Sequence, residues 1–338
     1  MNCVFCKSEI EEEDEICRNC KNKKQKTIEE QQIMKYFKDG HTYEEMCKLL
    51  NMEGYKMSIR TLKRRCKKIG LTRKNSQSRD EVREAITKEI DGPCSQMGYR
   101  TMWHHLRSVR GFFTSRDAVM HMAREVNPDG VRIRQRKKLH RRTYHSLGPN
   151  DCWHMDGYDK LKPFGFPIHG CVDGYSRKIL WLELLYSNNN PVNIASLYVN
   201  ALRRDKKIPR RLRTDCGTEN GLAAGIQEFL RRNCGDALAS SGSHIYGSSY
   251  SNQRIEAWWS QLRKSQTTYA INFFRNLAEE MFNVEDVLHK SCAWFCFGPL
   301  LRKNLSEFKD QWNSHYIRKS QYSNVHGRPN FVYVCPGD

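Results

Sequence analysis

The pattern of apolar residues changes near Asn150, and this change limits the possible folds more than any other feature of the chain. Before Asn150, apolar residues recur every three or four positions, which predicts helices. After it, the alternation typical of strands occurs in three segments, at 151–159, 168–175 and 179–185. Helical and strand patterns then alternate, at 193–203, 211–215, 222–232, 244–247 and 252–270. This order predicts an α/β domain with a mixed five-stranded sheet.

The charge of the chain indicates its class of partner. Lys and Arg number 57 against 38 Asp and Glu, so the formal net charge is +19. Such an excess is typical of proteins that bind nucleic acid, and a soluble basic enzyme is the alternative. No run approaches the ~18–20 apolar residues of a membrane span, and the start of the chain, with its Cys pair and acidic run, differs from a secretory signal peptide. We therefore expect an intracellular, nucleic-acid-binding protein with no membrane partner.

The first 26 residues contain two closely spaced pairs of cysteines. Each pair has the form Cys-x2-Cys, and ten residues separate the pairs, which are Cys3 with Cys6 and Cys17 with Cys20. Two such pairs complete a tetrahedral four-cysteine site, so we expect one structural Zn2+ in a zinc-binding knob at 1–26. A disulfide pair or coincidence is the alternative. The other ten cysteines occur singly in apolar patterns and are expected to be buried thiols, among them Cys47, Cys66, Cys171 and Cys234.

Residues 27–75 have the pattern of a helix-turn-helix DNA-binding domain. Thr42 and Glu45 form a capping box, Ser58 can cap a third helix, and Gly70 stands where that helix should end. Segment 56–74 contains nine Lys or Arg and no acidic residue, as a recognition helix requires. A solvated basic face is the alternative. The DNA-binding candidates on this helix are Arg60, Lys63, Arg64 and Lys67.

Two further segments precede the sheet. Residues 76–130 predict a second helical domain, and its run from Gly98 resembles the helix-turn-helix before the catalytic core of bacterial insertion-sequence transposases; a helical spacer is the alternative. Residues 131–150 contain seven Lys or Arg and no acid, which predicts an extended basic linker along a phosphate backbone. Its DNA-binding candidates are Arg134, Arg136 and Lys137.

Four motifs follow one another in the predicted elements of the α/β domain. They are Trp153-His154-Met155-Asp156, Asp173-Gly174-Tyr175-Ser176-Arg177, Asp215-Cys216-Gly217-Thr218-Glu219 and Ser251-Asn252-Gln253-Arg254-Ile255-Glu256. In this order they resemble the signatures of the retrovirus-type integrase catalytic core, in the DDE/RNase H-like superfamily. The chain is most similar to transposon-encoded integrase-core proteins of eukaryotes, which are related to insertion-sequence transposases. The resemblance implies an RNase H-like core at 151–272, and Gln253 and Cys216 depart from the usual Gly and Asn.

The resemblance also implies a catalytic site. Asp156, Asp215 and Glu256 would be its catalytic residues and the ligands of two Mg2+ (or Mn2+) ions, since hard cations bind several anionic oxygens. Asp156 would bridge both ions. Water would attack the phosphodiester first, and the freed 3′-hydroxyl would attack target DNA second. Asp159 is a rival to Asp156, and Glu219 is a rival to Glu256.

Basic residues near this site are further candidates for DNA contacts. Arg263 and Lys264 lie beyond Glu256 on the predicted long helix, with a solvated face as the alternative. Segment 203–213 contains seven basic residues and one Asp just before Asp215, which is typical of a phosphate-binding surface. Trp258 and Trp259 are expected in the core.

The C-terminal segment 273–338 is helical and rich in aromatic residues. It would pack on the catalytic domain or support multimerisation, and Cys292 and Cys296 are expected in its core. For the whole chain we expect a DDE-type transposase or integrase that acts as a dimer or tetramer on transposon ends and target DNA, in the nucleus if the host is eukaryotic. The alternatives are a domesticated DNA-binding or scaffold protein without strand transfer, and an RNase H-type nuclease.

Overall fold

A computed structural model describes most of the chain. The described residues are 18–73, 77–92, 94–135, 144–247, 252–320, 323 and 325–336. Cys3, Cys6, Cys17, Arg136, Lys137 and Ser251 lie outside them, as do the side chains of Cys20 and Arg134. The zinc knob and the linker contacts to DNA therefore stay predictions. The chain divides into two compact units, Met1–Ser76 and Gln77–Asp338.

The described part of the first unit contains three helices. They are α1 (Arg18–Lys38), α2 (Tyr43–Met52) and α3 (Ile59–Lys68). Both hydrogen bonds of the capping box between Thr42 and Glu45 are present, and the Ser58 side chain accepts the Thr61 N–H, so the predicted helix starts are confirmed. Ile33, Phe37, Met46, Leu50 and Leu62 are fully buried. The four basic candidates of α3, Arg60, Lys63, Arg64 and Lys67, are exposed.

The second unit begins with four helices. They are α4 (Arg79–Ile90), α5 (Tyr99–Ser108), α6 (Arg116–Val126) and α7 (Pro128–Gln135). The prediction of an extended linker from residue 131 is wrong for its first five residues, which are part of α7. The physical reason is a local cap: the Asn127 side chain accepts the Gly130 N–H at 2.8 Å, and Pro128 has the fixed φ that suits a first helical position.

The sheet confirms the predicted α/β class and the RNase H-like core. Its strands are β1 (Cys152–Tyr158), β2 (Ile168–Asp173), β3 (Ile179–Leu184), β4 (Arg211–Thr214) and β5 (His244–Tyr246). The strand order is β3-β2-β1-β4-β5. The first three strands pair antiparallel, whereas β4 and β5 join in parallel. The parallel pairs require crossovers, which α8 (Pro191–Asp205) and α9 (Gly221–Leu230) supply.

Helices cover both faces of the sheet. One core cluster packs Trp153 and Leu212 of the sheet against Tyr198 of α8. The other packs Tyr158 and Leu182 against helices that follow β5. These helices are α10 (Gln253–Leu262), α11 (Thr268–Glu280) and α12 (Val287–Ser314), and α13 (Pro329–Val334) follows. The predicted single helix at 252–270 is interrupted, because a π-helical turn at Arg263–Thr267 separates α10 from α11.

The C-terminal segment packs on the catalytic sheet. The Asn313 side chain in α12 accepts the Ile179 N–H and donates to the Ile179 carbonyl of β3, at 2.8 and 2.9 Å.

The prediction of buried thiols is confirmed for Cys47, Cys66 and Cys171 and is wrong for Cys234, Cys292 and Cys296, which are exposed. The last two lie on the side of α12 that faces away from Trp294 and Ala293 in the core. No helix in the described ranges is long and apolar enough to cross a membrane.

Candidate active site

Two neighbouring strands bring the first two candidate carboxylates together. The parallel register of β1 and β4 pairs Cys152 with Arg211 and His154 with Arg213. Continued for two residues, this register brings Asp156 beside Asp215, which directly follows β4. Carboxyl ends of adjacent parallel strands at one sheet edge are a common place for a binding site.

Asp156 is held by two N–H donors. The Trp259 indole Nε1 donates to Oδ2 at 3.0 Å, and the Gly157 N–H donates to Oδ1 at 2.9 Å. The pKa of Asp156 is raised to about 7, chiefly by burial and also by the charges of Asp215 and Glu256, against the lowering effect of the Trp259 bond. The three carboxylates are therefore close enough to repel one another.

Trp259 reaches Asp156 because the adjacent strand has no side chain in its path. Gly170 in β2 is the register partner of Asp156, and a Cβ at Gly170 would lie 2.8 Å from the Trp259 ring. The prediction that Trp259 is only a core residue is thus incomplete: its ring is buried, and its N–H contacts a catalytic candidate. A buried indole N–H usually has an acceptor, and this is the signal that sequence reasoning missed.

Asp215 is positioned by a second residue that the motifs did not single out. The Asn220 amide donates to Asp215 Oδ1 at 2.7 Å, and the Gly217 N–H donates to the same oxygen at 3.3 Å. Asn220 is fully buried just before α9. The carboxylate of Asp215 is therefore oriented by the loop that follows β4.

Glu256 is on α10, and Asn252 fixes the start of that helix. The Asn252 amide donates to the Met155 carbonyl at 2.9 Å, which leaves its Oδ1 to accept from His154 Nδ1 at 2.8 Å. His154 Nε2 then accepts from the Tyr144 hydroxyl at 2.7 Å. Burial lowers the pKa of His154 to about 3, so the ring is neutral. It therefore accepts at Nε2 and donates from Nδ1. These bonds tie the start of α10, one turn before Glu256, to the strand that carries Asp156.

The electrostatics of Glu256 agree with this placement. Burial raises the pKa of Glu256, the charge of Asp215 raises it further, and the charge of Lys160 lowers it. No Lys or Arg in the described ranges forms an ion pair with Asp156, Asp215 or Glu256. A cluster of carboxylates without a basic partner is the donor set of a hard divalent cation, which would remove their mutual repulsion.

Two nearby acidic residues have other partners. Asp173 is fully buried and accepts from the Ser176 N–H, the Ser176 hydroxyl and the Asn150 N–H, which fits the structural role of a turn Asp. Asp159 forms an ion pair with Lys162 and accepts from the Asn188 amide. The geometry therefore favours Asp156 over Asp159 as the first carboxylate.

The basic segment before β4 is partly neutralised. Arg210 and Arg211 form ion pairs with the buried Asp151, at 3.3 and 3.0 Å, and Arg204 pairs with Asp205. Arg263 and Lys264, in contrast, are exposed on the π-helical turn that follows α10. Both side chains are accessible to a phosphate backbone, as is the exposed Lys160, whose charge acts on Glu256.

Comparison with known proteins agrees with the fold and the placement of the carboxylates. A family model described as an integrase core domain matches residues 143–332, a range that contains the whole sheet and all three carboxylates. Integrase core domains typically use divalent metal ions, and proteins of this kind bind DNA. None of the curated proteins matches the chain.

Proposed function

Since the chain belongs to the integrase core domain family, we propose that it is a DDE-type transposase or integrase that cleaves DNA ends and transfers them to target DNA. The observation that supports this proposal is the convergence of three carboxylates from β1, the end of β4 and α10, with the pKa of Asp156 raised to about 7. Such a cluster is unstable unless protons or cations neutralise it. Strand transfer to DNA requires those cations.

Each chemical step in the proposal is an in-line displacement at phosphorus. Water breaks the bond to a 3′-oxygen and frees a 3′-hydroxyl, which then attacks a target phosphodiester and displaces the target's own 3′-oxygen. Two Mg2+ or Mn2+ ions would activate the attacking oxygen and stabilise the leaving oxygen. Asp156 would contact both ions, and Asp215 and Glu256 would each contact one.

The protein's own hydrogen bonds keep these ligands in place. Trp259 and Asn220 each donate to one carboxylate, and Asn252 ties the start of α10 to the strand that carries Asp156. Ligand oxygens that are fixed before the cations arrive lose little freedom on binding. A two-metal centre requires ligands that are held in position in this way.

The recognition of DNA is part of the same proposal. The exposed basic face of α3, the segment at 131–150 and the pair Arg263 and Lys264 would contact the phosphate backbone. The four N-terminal cysteines would bind one structural Zn2+. Joining two DNA ends requires two active sites, so the protein would act as a dimer or tetramer, in the nucleus if its host is eukaryotic.

The test compares two conservative variants of the full-length protein. Glu256→Gln should abolish Mg2+-dependent cleavage and joining of element ends and leave DNA binding intact. Glu219→Gln, at the rival acidic residue, should retain both reactions. If Glu256→Gln still joins ends, the assignment of the third carboxylate is wrong. A wild-type protein that binds ends and never cuts them would instead support a domesticated DNA-binding protein.

A further inference from the structure

A second group of titratable side chains lies among the helices that precede the sheet. Glu89 is in the last turn of α4, Cys94 follows that helix, and His105 is on α5. Their donor atoms all lie within 4.8 Å of one another, which holds for no other set of three His, Cys, Asp or Glu in the described ranges. All three residues are buried, with exposed fractions of 6%, 3% and 6%.

The separations of these atoms suit one tetrahedral ion. His105 Nε2 lies 3.0 Å from Glu89 Oε2 and 3.9 Å from Cys94 Sγ. Zinc bonds of about 2.1 Å to nitrogen or oxygen and about 2.3 Å to sulfur place ligands roughly 3.4 to 3.6 Å apart in a tetrahedron. Each of these two separations would therefore change by less than about 0.5 Å on binding.

A residue of α12 orients the imidazole. The Gln311 amide donates to the Thr101 carbonyl at 3.1 Å, so its Oε1 faces His105 Nδ1 at 3.4 Å and accepts from it. With the proton on Nδ1, a neutral ring directs the lone pair of Nε2 at the Glu89 carboxylate. A cation between them removes that repulsion, and a histidine ligand typically donates its other N–H in this way.

One oxygen of the Glu89 carboxylate is bound by Arg110, and the other lies 3.0 Å from His105 Nε2. Arg110 binds Oε1 at 2.6 Å, which leaves Oε2 for a second partner. A carboxylate in the last turn of a helix is disfavoured by the helix dipole, and a cation there offsets that cost.

We infer that Glu89, Cys94 and His105 bind one structural Zn2+ ion in the helical part of Gln77–Asp338. A sulfur, a nitrogen and a carboxylate oxygen form a donor set that zinc accepts and that Mg2+ does not favour. Cys94 would lose its thiol proton to solvent on binding. Thiolate and carboxylate together neutralise the ion. A water molecule would supply the fourth donor.

The same three residues do not form a nucleophilic triad. A Cys–His–Glu triad needs the thiol on one ring nitrogen and the carboxylate on the other. Here Cys94 and Glu89 both face Nε2, whereas Gln311 occupies Nδ1. The burial of Cys94 also excludes a substrate, so the role of the site is structural.

The ion would fasten the helical segment to the core. It would join α4 to α5, and α5 is already bound to α12 through His104, whose Nε2 lies 3.0 Å from both the Gln311 carbonyl and the Ser314 hydroxyl. Helix α12 in turn holds strand β3 through Asn313. Loss of the ion should therefore loosen α4 and α5 before it affects the sheet.

The first test counts zinc in the full-length protein. Protein expressed with added zinc is dialysed against excess Mg2+, which clears the catalytic carboxylates, and its zinc is measured per chain by mass spectrometry. Cys94→Ser should contain one equivalent less than wild type. Cys66→Ser, which changes a buried thiol in the other unit, should contain the wild-type amount. Equal zinc in wild type and a folded Cys94→Ser variant would overturn the inference.

A second test does not depend on the folding of the Cys94 variant. The full-length chain with Ser at Cys3, Cys6, Cys17 and Cys20 is titrated with Co2+, and its absorption is recorded. One equivalent should produce tetrahedral d–d bands and a thiolate charge-transfer band. If the titration produces no thiolate charge-transfer band, whatever Co2+ the catalytic carboxylates bind, then Cys94 is not a ligand and the site is not a metal site. Neither test uses DNA, so both outcomes are independent of the proposed strand transfer.

Discussion

Replacing Asp156 with Asn should stabilise the metal-free protein at pH 8. The folded-state pKa of Asp156 is raised from 3.8 to about 7, chiefly by burial and also by the charges of Asp215 and Glu256. A carboxyl group with a raised pKa binds its proton more tightly in the folded state. The free energy of unfolding therefore decreases as the pH rises from the unfolded-state pKa of 3.8 to the folded-state pKa of about 7, and the full penalty is present above that pH. Asn carries no charge and removes the penalty.

The size of the effect follows from the shift. Between a pKa of 3.8 and one of about 7, the penalty is about 4 kcal/mol at pH 8 and about 1.7 kcal/mol at pH 5. Asp156 also accepts from Trp259 and Gly157, and Asn has one acceptor oxygen where Asp has two. The donor left without a partner costs about 1–2 kcal/mol. The variant should therefore gain about 2–3 kcal/mol over wild type at pH 8 and about zero at pH 5.

Urea unfolding followed by tryptophan fluorescence measures this difference. All seven tryptophans lie in Gln77–Asp338, so the signal reports the unit that contains the sheet. The buffer is freed of divalent ions by resin, because a soluble chelator would also remove zinc. Asp159→Asn is the matched control, since Asp159 is exposed and paired with Lys162, and it should gain nothing at pH 8.

Mg2+ gives the complementary result. It should stabilise the wild-type protein at pH 8, because cations neutralise the clustered carboxylates, and it should stabilise Asp156→Asn much less. If Asp156→Asn is no more stable than wild type at pH 8, or if the difference between the two proteins does not change with pH, the three carboxylates do not repel one another and the account of the site is wrong.

Two further predictions concern single contacts of the site and of α3. Trp259→Phe removes the N–H that donates to Asp156. In a Mg2+-dependent cleavage assay, this variant should lower the rate of end cleavage by about 10- to 100-fold, which is the effect of losing a hydrogen bond to a charged group. Trp258→Phe is its control, because this neighbouring ring is similarly buried and its N–H has no partner among the described residues. This variant should cleave at nearly the wild-type rate, and equal losses in both variants would point to packing alone. Arg60→Ala and Lys63→Ala should each weaken DNA binding and reduce the slope of log K against log salt by about 1, as measured by fluorescence anisotropy. An unchanged slope would exclude these residues from the phosphate contacts.

The elements of the sheet could be predicted because their signals are local. Short segments of strand-forming residues mark β1, β2 and β3, although these strands are buried on both faces and do not alternate. Asp156, Asp215 and Glu256 occur at fixed positions in short motifs. The register of β1 with β4 brings Asp156 beside Asp215, and α10 carries Glu256. Local capping residues such as Thr42 and Ser58 likewise determine helix starts from a few neighbouring positions.

What could not be predicted depends on contacts between distant segments. The bond from Trp259 to Asp156 requires the rotation of α10 and the missing side chain at Gly170, 89 residues before the tryptophan. The meeting of Glu89, Cys94 and His105 requires the packing of α4 against α5. Exposure of Cys292 and Cys296 depends on which face of α12 meets the sheet, and α12 has apolar residues on several faces.

The stereochemistry of strand transfer tests the central claim most directly. A DNA end with a free 3′-hydroxyl is joined in Mg2+ to a target whose attacked phosphate is a phosphorothioate of known configuration, and the configuration at phosphorus is read in the product. Direct attack by the 3′-hydroxyl at a site formed by Asp156, Asp215 and Glu256 predicts joined product with one inversion. Retention would reveal a covalent protein–DNA intermediate, and the absence of joining by wild-type protein that still binds both DNAs would contradict strand transfer itself.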